Sequence, residues 1–214
     1  MLKVVKVFLF NLGWLVVFGS VSQGAGDFPL RGEKAMVFLE ELENKFGKID
    51  SLEVAFQQEK HLKAFADVLT THGMVYFQAP DKIRVETQKP YRSVMIFDGG
   101  SVAKYERIEG DWLKVDVPRA EVSQSVNKQI SEWLTGKFRS QAEIYEFFVS
   151  SEKEIRLTPR SDALKEFISS IDVFISSDQV ERVFIREPEG DETRMFFSVK
   201  GKNASLPPAL FNKP

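Results

Sequence analysis

The fold is indicated most clearly by HGMVYFQAPDKIRVETQKPYRSVMIFDGG, the stretch that runs from His72 to Gly100. It contains three short runs rich in β-branched and aromatic residues, at 74–77, 83–86 and 91–97. Pro80 and Pro90 follow the first two runs and lack the amide hydrogen that a strand ladder needs, while glycine after the third run allows a positive φ. These boundaries fall where antiparallel strands turn, so the stretch predicts a meander of three strands.

The first 25 residues are interpreted as an export signal and not as part of the fold. Lys3 and Lys6 give a positive start, and an apolar run follows over residues 7–18. That run is shorter than the roughly 20 residues of a spanning helix, and the small residues after it suit signal peptidase, with cleavage between Ser22 and Gly26. An uncleaved N-terminal membrane anchor is the alternative. The predicted location is the bacterial periplasm, and with no cysteine to acylate the chain is not itself a lipoprotein.

The charge and length of the remaining chain exclude some functions. Removing Lys3 and Lys6 from 29 basic residues leaves 27 against 31 acidic ones, a net charge of about −4. A chain this acidic is not expected to bind nucleic acid. Residues 26–214 show no repeat, linker or low-complexity tract, so they are predicted to form a single domain, and we expect a monomer. Without disulfides, that domain must be held together by burial, which its length permits.

The rest of the sequence predicts a mainly β chain with a few helices. Met36, Leu39, Leu42 and Phe46 recur at helical spacing, which predicts a helix over 33–46 with Gly47 as its C′ residue. Strand patterns occur at 52–56, 102–107, 112–117, 154–158, 168–176, 180–187 and 194–200. The segment 140–149 is compatible with a helical turn starting at Ser140 or with a strand over 145–149. The total is about ten antiparallel strands with two or three helices.

No pattern in the sequence indicates catalysis. The two histidines, His61 and His72, have no partner set at metal-ligand spacing and are interpreted as surface residues at strand ends. The acidic run at Glu40, Glu41 and Glu43 is interpreted as the water-facing side of the first helix. Nucleotide-binding and hydrolase fingerprints are absent from the sequence. We therefore predict a protein that is not an enzyme and needs no metal or cofactor.

Several short motifs occur in order along the chain. They are Phe56-Gln57-Gln58, Gly73 with Val75-Tyr76-Phe77, Pro80 with Ile83-Arg84-Val85, Phe97-Asp98-Gly99, Leu157-Thr158-Pro159 and Phe211. In order and spacing this set resembles the periplasmic outer-membrane lipoprotein carriers of the LolA family, over about Glu33 to Phe211. LolB, a receptor of the same fold, is itself a lipoprotein, so the lack of cysteine argues against it.

The resemblance implies both a fold and a function. The fold is a mainly β, unclosed antiparallel barrel of about 10 to 11 strands with a helical lid. Its apolar interior receives the acyl chains of lipoproteins and shields them between the inner and outer membranes. The implied partners are acylated lipoproteins or other lipids, an inner-membrane lipoprotein release complex and an outer-membrane acceptor.

Alternation along the predicted strands nominates residues that line such a cavity. Residues two apart in a strand share a face, and the resemblance implies that the apolar faces point inward. The nominated positions are Phe56, Val75, Phe77, Ile83, Val85, Met95 and Phe97. Ordinary core packing is the alternative for each of them.

A second helix is predicted between Pro118 and Gly136. Its apolar residues recur at intervals of four, four and three: Val122, Val126, Ile130 and Trp133. The resemblance suggests a lid over the cavity opening, and a packed core helix is the alternative.

One departure from the family pattern affects the predicted mechanism. Carriers of this family have an arginine directly before the proline matched by Pro80, tied to lid closure and one-way transfer, and this chain has Ala79. Arg84 is predicted to point away from the Ile83 and Val85 face, so it is a poor substitute. The departure leaves open a paralogue that carries another lipid or lipid-linked product. A lipid-sensing regulatory module of the same fold and a hydrolase of amphipathic substrates are further alternatives.

Overall fold

The computed structural model describes residues 30–98, 101–117, 129, 131–151 and 154–214. Within these residues the chain is mostly β, with twelve strands in one sheet. The strands are Leu30–Arg31 (β1), Ser51–His61 (β2), Leu69–Gln78 (β3), Lys82–Lys89 (β4), Ser93–Asp98 (β5), Ser101–Ile108 (β6), Asp111–Val115 (β7), Tyr145–Ser151 (β8), Glu154–Pro159 (β9), Ser170–Ser176 (β10), Gln179–Arg186 (β11) and Glu192–Lys202 (β12).

The described helices are fewer than the strands. The described α-helices are Gly32–Phe46 (α1) and Asp162–Lys165 (α2), and residues 131–134 are also helical. Short 3₁₀ helices cover Arg139–Gln141 and Pro208–Phe211. The ambiguous segment 140–149 therefore contains both predicted structures, a 3₁₀ turn followed by strand β8.

The sheet is open and its registered strand pairs are antiparallel. The strand order is β1-β8-β9-β10-β11-β12-β2-β3-β4-β5-β6-β7, so β1 and β7 are its two ends. This confirms the predicted fold class, a mainly β chain whose antiparallel sheet does not close. The described residues contain two strands more than the predicted ten. They are β1, whose two residues show no alternation, and β8, which lies in the segment that is also compatible with a helical turn.

The predicted meander is confirmed as β3, β4 and β5. Strand β3 pairs with β4, and β4 with β5, both antiparallel. The strands are offset from the apolar runs: β3 begins at Leu69 and β5 at Ser93, two residues after Tyr91. The peptide bonds before Pro80 and Pro90, the two predicted corners, are cis.

The described residues divide into two compact units. The first contains those within 30–47, 59–69 and 132–196, and the second those within 48–58, 70–131 and 197–214. A single domain over 26–214 remains a prediction.

Helix α1 packs in the first unit through the apolar stripe that its spacing predicted. Leu39, Leu42 and Phe46 of the predicted stripe are buried, while Met36 is half-buried and Ala35, which the prediction did not include, is buried. The helix contacts β1 and β8. Phe46 meets Phe138 edge to face, with ring centroids 5.9 Å apart. The helix ends as predicted at Gly47, whose φ of 67° is easily reached by glycine and whose amide donates to the Glu43 carbonyl.

The interpretation of the acidic run on α1 as a water-facing cluster is wrong for Glu43. Its carboxylate accepts from the Arg139 backbone amide at 2.8 Å and from Arg139 Nε at 2.7 Å. This hydrogen bond raises the pKa of Arg139 above its ordinary value. Because Glu43 and Arg139 are 96 residues apart, charge spacing along the helix did not indicate the pair.

A buried carboxylate joins three strands of the first unit. Asp172 on β10 is 1% exposed and accepts from Arg156 on β9 at 2.6 Å and 2.9 Å. Arg186 on β11 donates to the same carboxylate and also contacts Glu192 on β12 at 3.0 Å. A buried charge is tolerated only when paired and hydrogen-bonded, so this network is structural.

Candidate functional site

One face of the second unit brings together six of the seven nominated residues. Two cross-strand rows run over β3, β4 and β5 and are entirely apolar in these strands: Val75–Val85–Met95 and Phe77–Ile83–Phe97. Directly paired residues of antiparallel strands lie on the same side of a sheet. We call these six residues, together with Phe56, the apolar face.

Phe56 joins this face through the glycine on the neighbouring strand. A Cβ on Gly73 would lie 2.6 Å from Phe56 Cε1 and 1.9 Å from the Glu86 carbonyl oxygen. Gly73 has the same strand parity as Val75 and Phe77, so the Phe56 ring occupies the place of the missing side chain. The missing side chain at Gly73 therefore explains how β2 contributes an aromatic ring to the face.

The residues of the apolar face are largely shielded from water. Phe56, Val75, Phe77, Ile83 and Phe97 are between 4% and 8% exposed, while Val85 and Met95 are half-buried. None of the seven side chains has a strong hydrogen-bonding group, so contact with them is non-directional. An ordinary core shows similar burial, and the acyl-chain role of these residues stays a prediction.

The opposite face of the same strands is covered by the C-terminal segment. Arg84 lies on this face, as strand alternation predicts, and its side chain is only 9% exposed. Its Nη1 donates to the Leu210 carbonyl at 2.8 Å and to the Asn212 carbonyl at 3.1 Å, and its Nε donates to Glu86. Phe211, between the two carbonyls, is buried. Arg84 therefore holds the C-terminal segment and is not available to the apolar face.

The corner at Ala79 has no basic side chain. Ala79 and Pro80 are both exposed, and the Ala79 amide donates to the Asp50 carbonyl at 2.8 Å. An alanine methyl can neither pair with an acid nor donate a hydrogen bond. Whatever gating this protein uses, it does not use an arginine at this position.

On the same side of the sheet, the strand register places polar residues next to the apolar face. The next row contains Thr87, Ser93 and Glu106, and Lys104 pairs with Met95 in the row of Val85. Lys104 Nζ lies 2.6 Å from Glu106 Oε1, and the two side chains are 13% and 35% exposed. We call Thr87, Ser93, Lys104 and Glu106 the polar end.

A family model described as outer membrane lipoprotein carrier protein LolA matches residues 47–213. The chain belongs to the LolA family. The match spans the motifs from Phe56 to Phe211 and confirms the predicted family. It is a family of carriers, that is, of binding proteins. Comparison with curated proteins gave no match.

Three solved structures are similar to this LolA-family chain at low identity. A DUF1329 family protein from Desulfovibrio piger has a TM-score of 0.45 and 11% identity, over 83% of this chain and 97% of that one. A LolA superfamily protein from Nitrosomonas europaea has a TM-score of 0.40 and 11% identity, over 84% and 97%. The MucA/MucB complex from Pseudomonas aeruginosa gives 0.43 and 10%, over 84% of this chain and 61% of that one. The family assignment rests on the sequence match alone.

Most of the predicted lid lies outside the described residues of this LolA-family chain. Val122, Val126 and Ile130 are in that part, while Trp133 is described, belongs to the first unit and is 5% exposed. The indole Nε1 of Trp133 is buried and has no hydrogen-bond partner among the described residues. The lid role stays a prediction for all four residues.

Sequence reasoning missed several residues on the same side of the sheet as the apolar face. Val102 pairs with Phe97 and Val115 with Lys104, so both extend the two rows toward the end of the sheet at β7. The polar end was also missed. The signal was alternation over 102–106 combined with the register of the meander, since β6 pairs with β5.

Two grooves outside the apolar face lie in the first unit, and both are small. A groove of about 140 Å³ is lined by α1 and the β10–β11 turn, and one of about 290 Å³ by Glu146, Arg160 and Lys165 among others. Small-molecule sites are usually larger, about 300 to 1,000 Å³, and mostly apolar. Within the described residues no acidic or histidine cluster suits a metal ion, and no helix is long and apolar enough to cross a membrane.

Proposed function

We propose that this chain is a periplasmic carrier that shields the acyl chains of lipoproteins and moves them from the inner to the outer membrane. The observation that carries the proposal is the apolar face of a chain assigned to the lipoprotein-carrier family. This function requires apolar contact with the acyl chains and no reacting group. The predicted export signal over residues 1–25 supports the periplasmic location.

The physical demand on such a carrier follows from its cargo. Exposing an acyl chain to water costs about 0.8 kcal/mol per CH₂, so a triacylated protein needs a shielded path across the periplasm. The carrier must also release its cargo, which favours non-directional contact over hydrogen bonds. Phe77, Ile83 and Phe97 offer that contact. Their burial implies that the groups which now cover them move aside when an acyl chain enters.

A charge placed on the apolar face tests the proposal. Val85→Asp and Phe77→Asp are expected to abolish retention of an acylated lipoprotein, because their strand partners are apolar and the carboxylate would be desolvated without a partner. Retention of the deacylated lipoprotein is expected to be unchanged. The measurement is co-purification of each lipoprotein form with tagged carrier. Val85 is half-buried, so its variant is the one expected to fold even where Phe77→Asp does not.

Met74→Asp is the matched control for this experiment. Met74 is half-buried on β3 and pairs with Glu86, on the side of the sheet opposite the apolar face. It adds the same charge to the same strand and is expected to leave retention intact. Equal behaviour of acylated and deacylated cargo in all variants would contradict the carrier role.

The Ala79 corner favours a second cargo, another lipid or lipid-linked product, carried by the same face. Without the family's arginine, one-way delivery to an outer-membrane acceptor requires some other gate. Mass spectrometry of material that co-purifies with the protein from periplasm distinguishes the two. Lipoprotein peptides support the first cargo, and free lipid without them supports the second.

A further inference from the structure

The side of the sheet that bears the apolar face changes polarity from one row to the next. The first row is Phe77–Ile83–Phe97–Val102, which is apolar throughout. The second is Val75–Val85–Met95–Lys104–Val115, with one charge. The third is Gly73–Thr87–Ser93–Glu106–Leu113, in which the central residues are polar. The side chains therefore become more polar from the row of Phe77, through the row of Val85, to the row of Thr87.

We propose that the polar end is a subsite for the headgroup linkage of an acylated ligand, and that the acyl chains run from it toward Phe77 and Phe97. This orientation rests on the proposed function, since it assigns a direction to a ligand on the same face. Neighbouring rows are two residues apart, so the first and third rows are separated by roughly 13 Å at about 3.3 Å per residue. That distance lets the head and the distal part of an acyl chain contact different rows.

The residues of the polar end define the chemistry of the head. Lys104 and Glu106 form an ion pair at 2.6 Å, so together they present no net charge. Thr87 and Ser93 are half-buried hydroxyl residues that can donate to ester and amide carbonyls. A strongly anionic head would meet the Glu106 carboxylate. The subsite therefore fits the uncharged glycerol ester and amide linkages that join acyl chains to a head or peptide.

The orientation is tested with single cysteines, because the chain contains none of its own. Ser93→Cys in the third row and Val102→Cys in the first row each receive a bimane label. Ala103→Cys, which pairs with Ile96 on the opposite face, is the control. The probe is phosphatidylcholine that carries a doxyl group at carbon 5 or at carbon 16 of one acyl chain.

The two labels are expected to respond in opposite order. At Ser93 the carbon-5 probe quenches at least about twofold more than the carbon-16 probe, and at Val102 the carbon-16 probe quenches more. The same order at both sites, or the reverse order, overturns the orientation while leaving lipid binding intact. Quenching no stronger than at Ala103 overturns the proposed function, and the orientation with it.

A second pair of variants tests the subsite itself. Thr87→Val and Ser93→Ala combined remove two hydroxyl donors at little cost in volume. Phosphatidylcholine affinity is expected to fall about tenfold, as for the loss of two ordinary hydrogen bonds. An unchanged affinity would overturn the assignment of Thr87 and Ser93 to the head.

Discussion

Gly73 lies where the β4 backbone and the Phe56 ring leave no room for a side chain. In Gly73→Ala the new methyl would meet the Glu86 carbonyl oxygen at 1.9 Å, and a backbone atom cannot move aside as a flexible side chain can. We expect the free energy of unfolding to fall by at least about 2 kcal/mol, at the upper side of overpacking effects. The free energy of unfolding of Gly73→Ala and of the unsubstituted protein is measured by urea unfolding.

Gly201→Ala on β12 is the matched control for that substitution. Its Cβ would lie 3.7 Å from Glu53 Cβ, which is ordinary contact, so little change is expected. A Gly73→Ala variant as stable as Gly201→Ala would show that Phe56 and β4 can repack, and would contradict the close approach described above.

Deprotonation of the buried Tyr145 phenol is expected to lower the stability of the fold at alkaline pH. Burial raises its pKa to about 12 from the ordinary 10.0, so the folded chain keeps the phenol proton after the unfolded chain has released it. The resulting stability is fully present below pH 10 and is lost between about pH 10 and 12. At about 1.36 kcal/mol per pH unit the loss is about 2 to 3 kcal/mol.

Tyr145→Phe isolates this contribution. The variant is expected to resemble the parent at pH 7 and to lose about 2 to 3 kcal/mol less than the parent between pH 10 and 12. Urea unfolding at pH 7, 10 and 12 gives both values. Parallel pH curves for parent and variant would contradict the buried-phenol explanation.

At the scale of elements, Arg84 links β4 to the C-terminal segment. Arg84→Met keeps most of the apolar stem but removes the donors to Leu210 and Asn212. Hydrogen bonds from charged groups contribute about 1.5 to 3 kcal/mol, so we expect the free energy of unfolding to fall by about 2 to 3 kcal/mol. Backbone amides of residues 209–213 are expected to exchange faster with deuterium.

Arg92→Met serves as the control for Arg84, since Arg92 is exposed and lies at the start of β5. It is expected to leave both stability and C-terminal exchange unchanged. If the two variants behave alike, the C-terminal segment is held by Phe211 burial and not by the arginine.

The same strands show what local sequence can and cannot predict. Period-two alternation correctly separated Val85 from Arg84, because neighbouring strand residues point to opposite faces. It did not predict where Arg84 binds, since Leu210 is 126 residues away. Strand β1 was missed because two residues show no alternation, and α2 because four residues show no helical period. The side of the sheet was thus predictable, while the groups packed against it were not.

At the scale of the whole molecule, the pattern is that of a protein organised for binding. The apolar face, the headgroup subsite proposed beside it and the family assignment need no catalytic group. The first unit instead pairs its buried charges, in the network around Asp172 and between Lys60 and Glu187. The charged side chains of that unit link neighbouring strands. The proposed contact with the acyl chains lies in the second unit and is apolar.

Binding at the apolar face is expected to raise the melting temperature of the protein. A ligand that binds only the folded state at 100 times its Kd adds about 2.7 kcal/mol. For a chain of this size each kcal/mol corresponds to about 2 to 4 °C, so phosphatidylcholine should raise Tm by about 5 to 11 °C. Differential scanning calorimetry of delipidated and reloaded protein measures the shift. Val85→Asp is expected to lose the shift and Met74→Asp to keep it, because only the first places a charge where the acyl chain lies. An equal shift in both variants would mean that lipid binds elsewhere on the molecule.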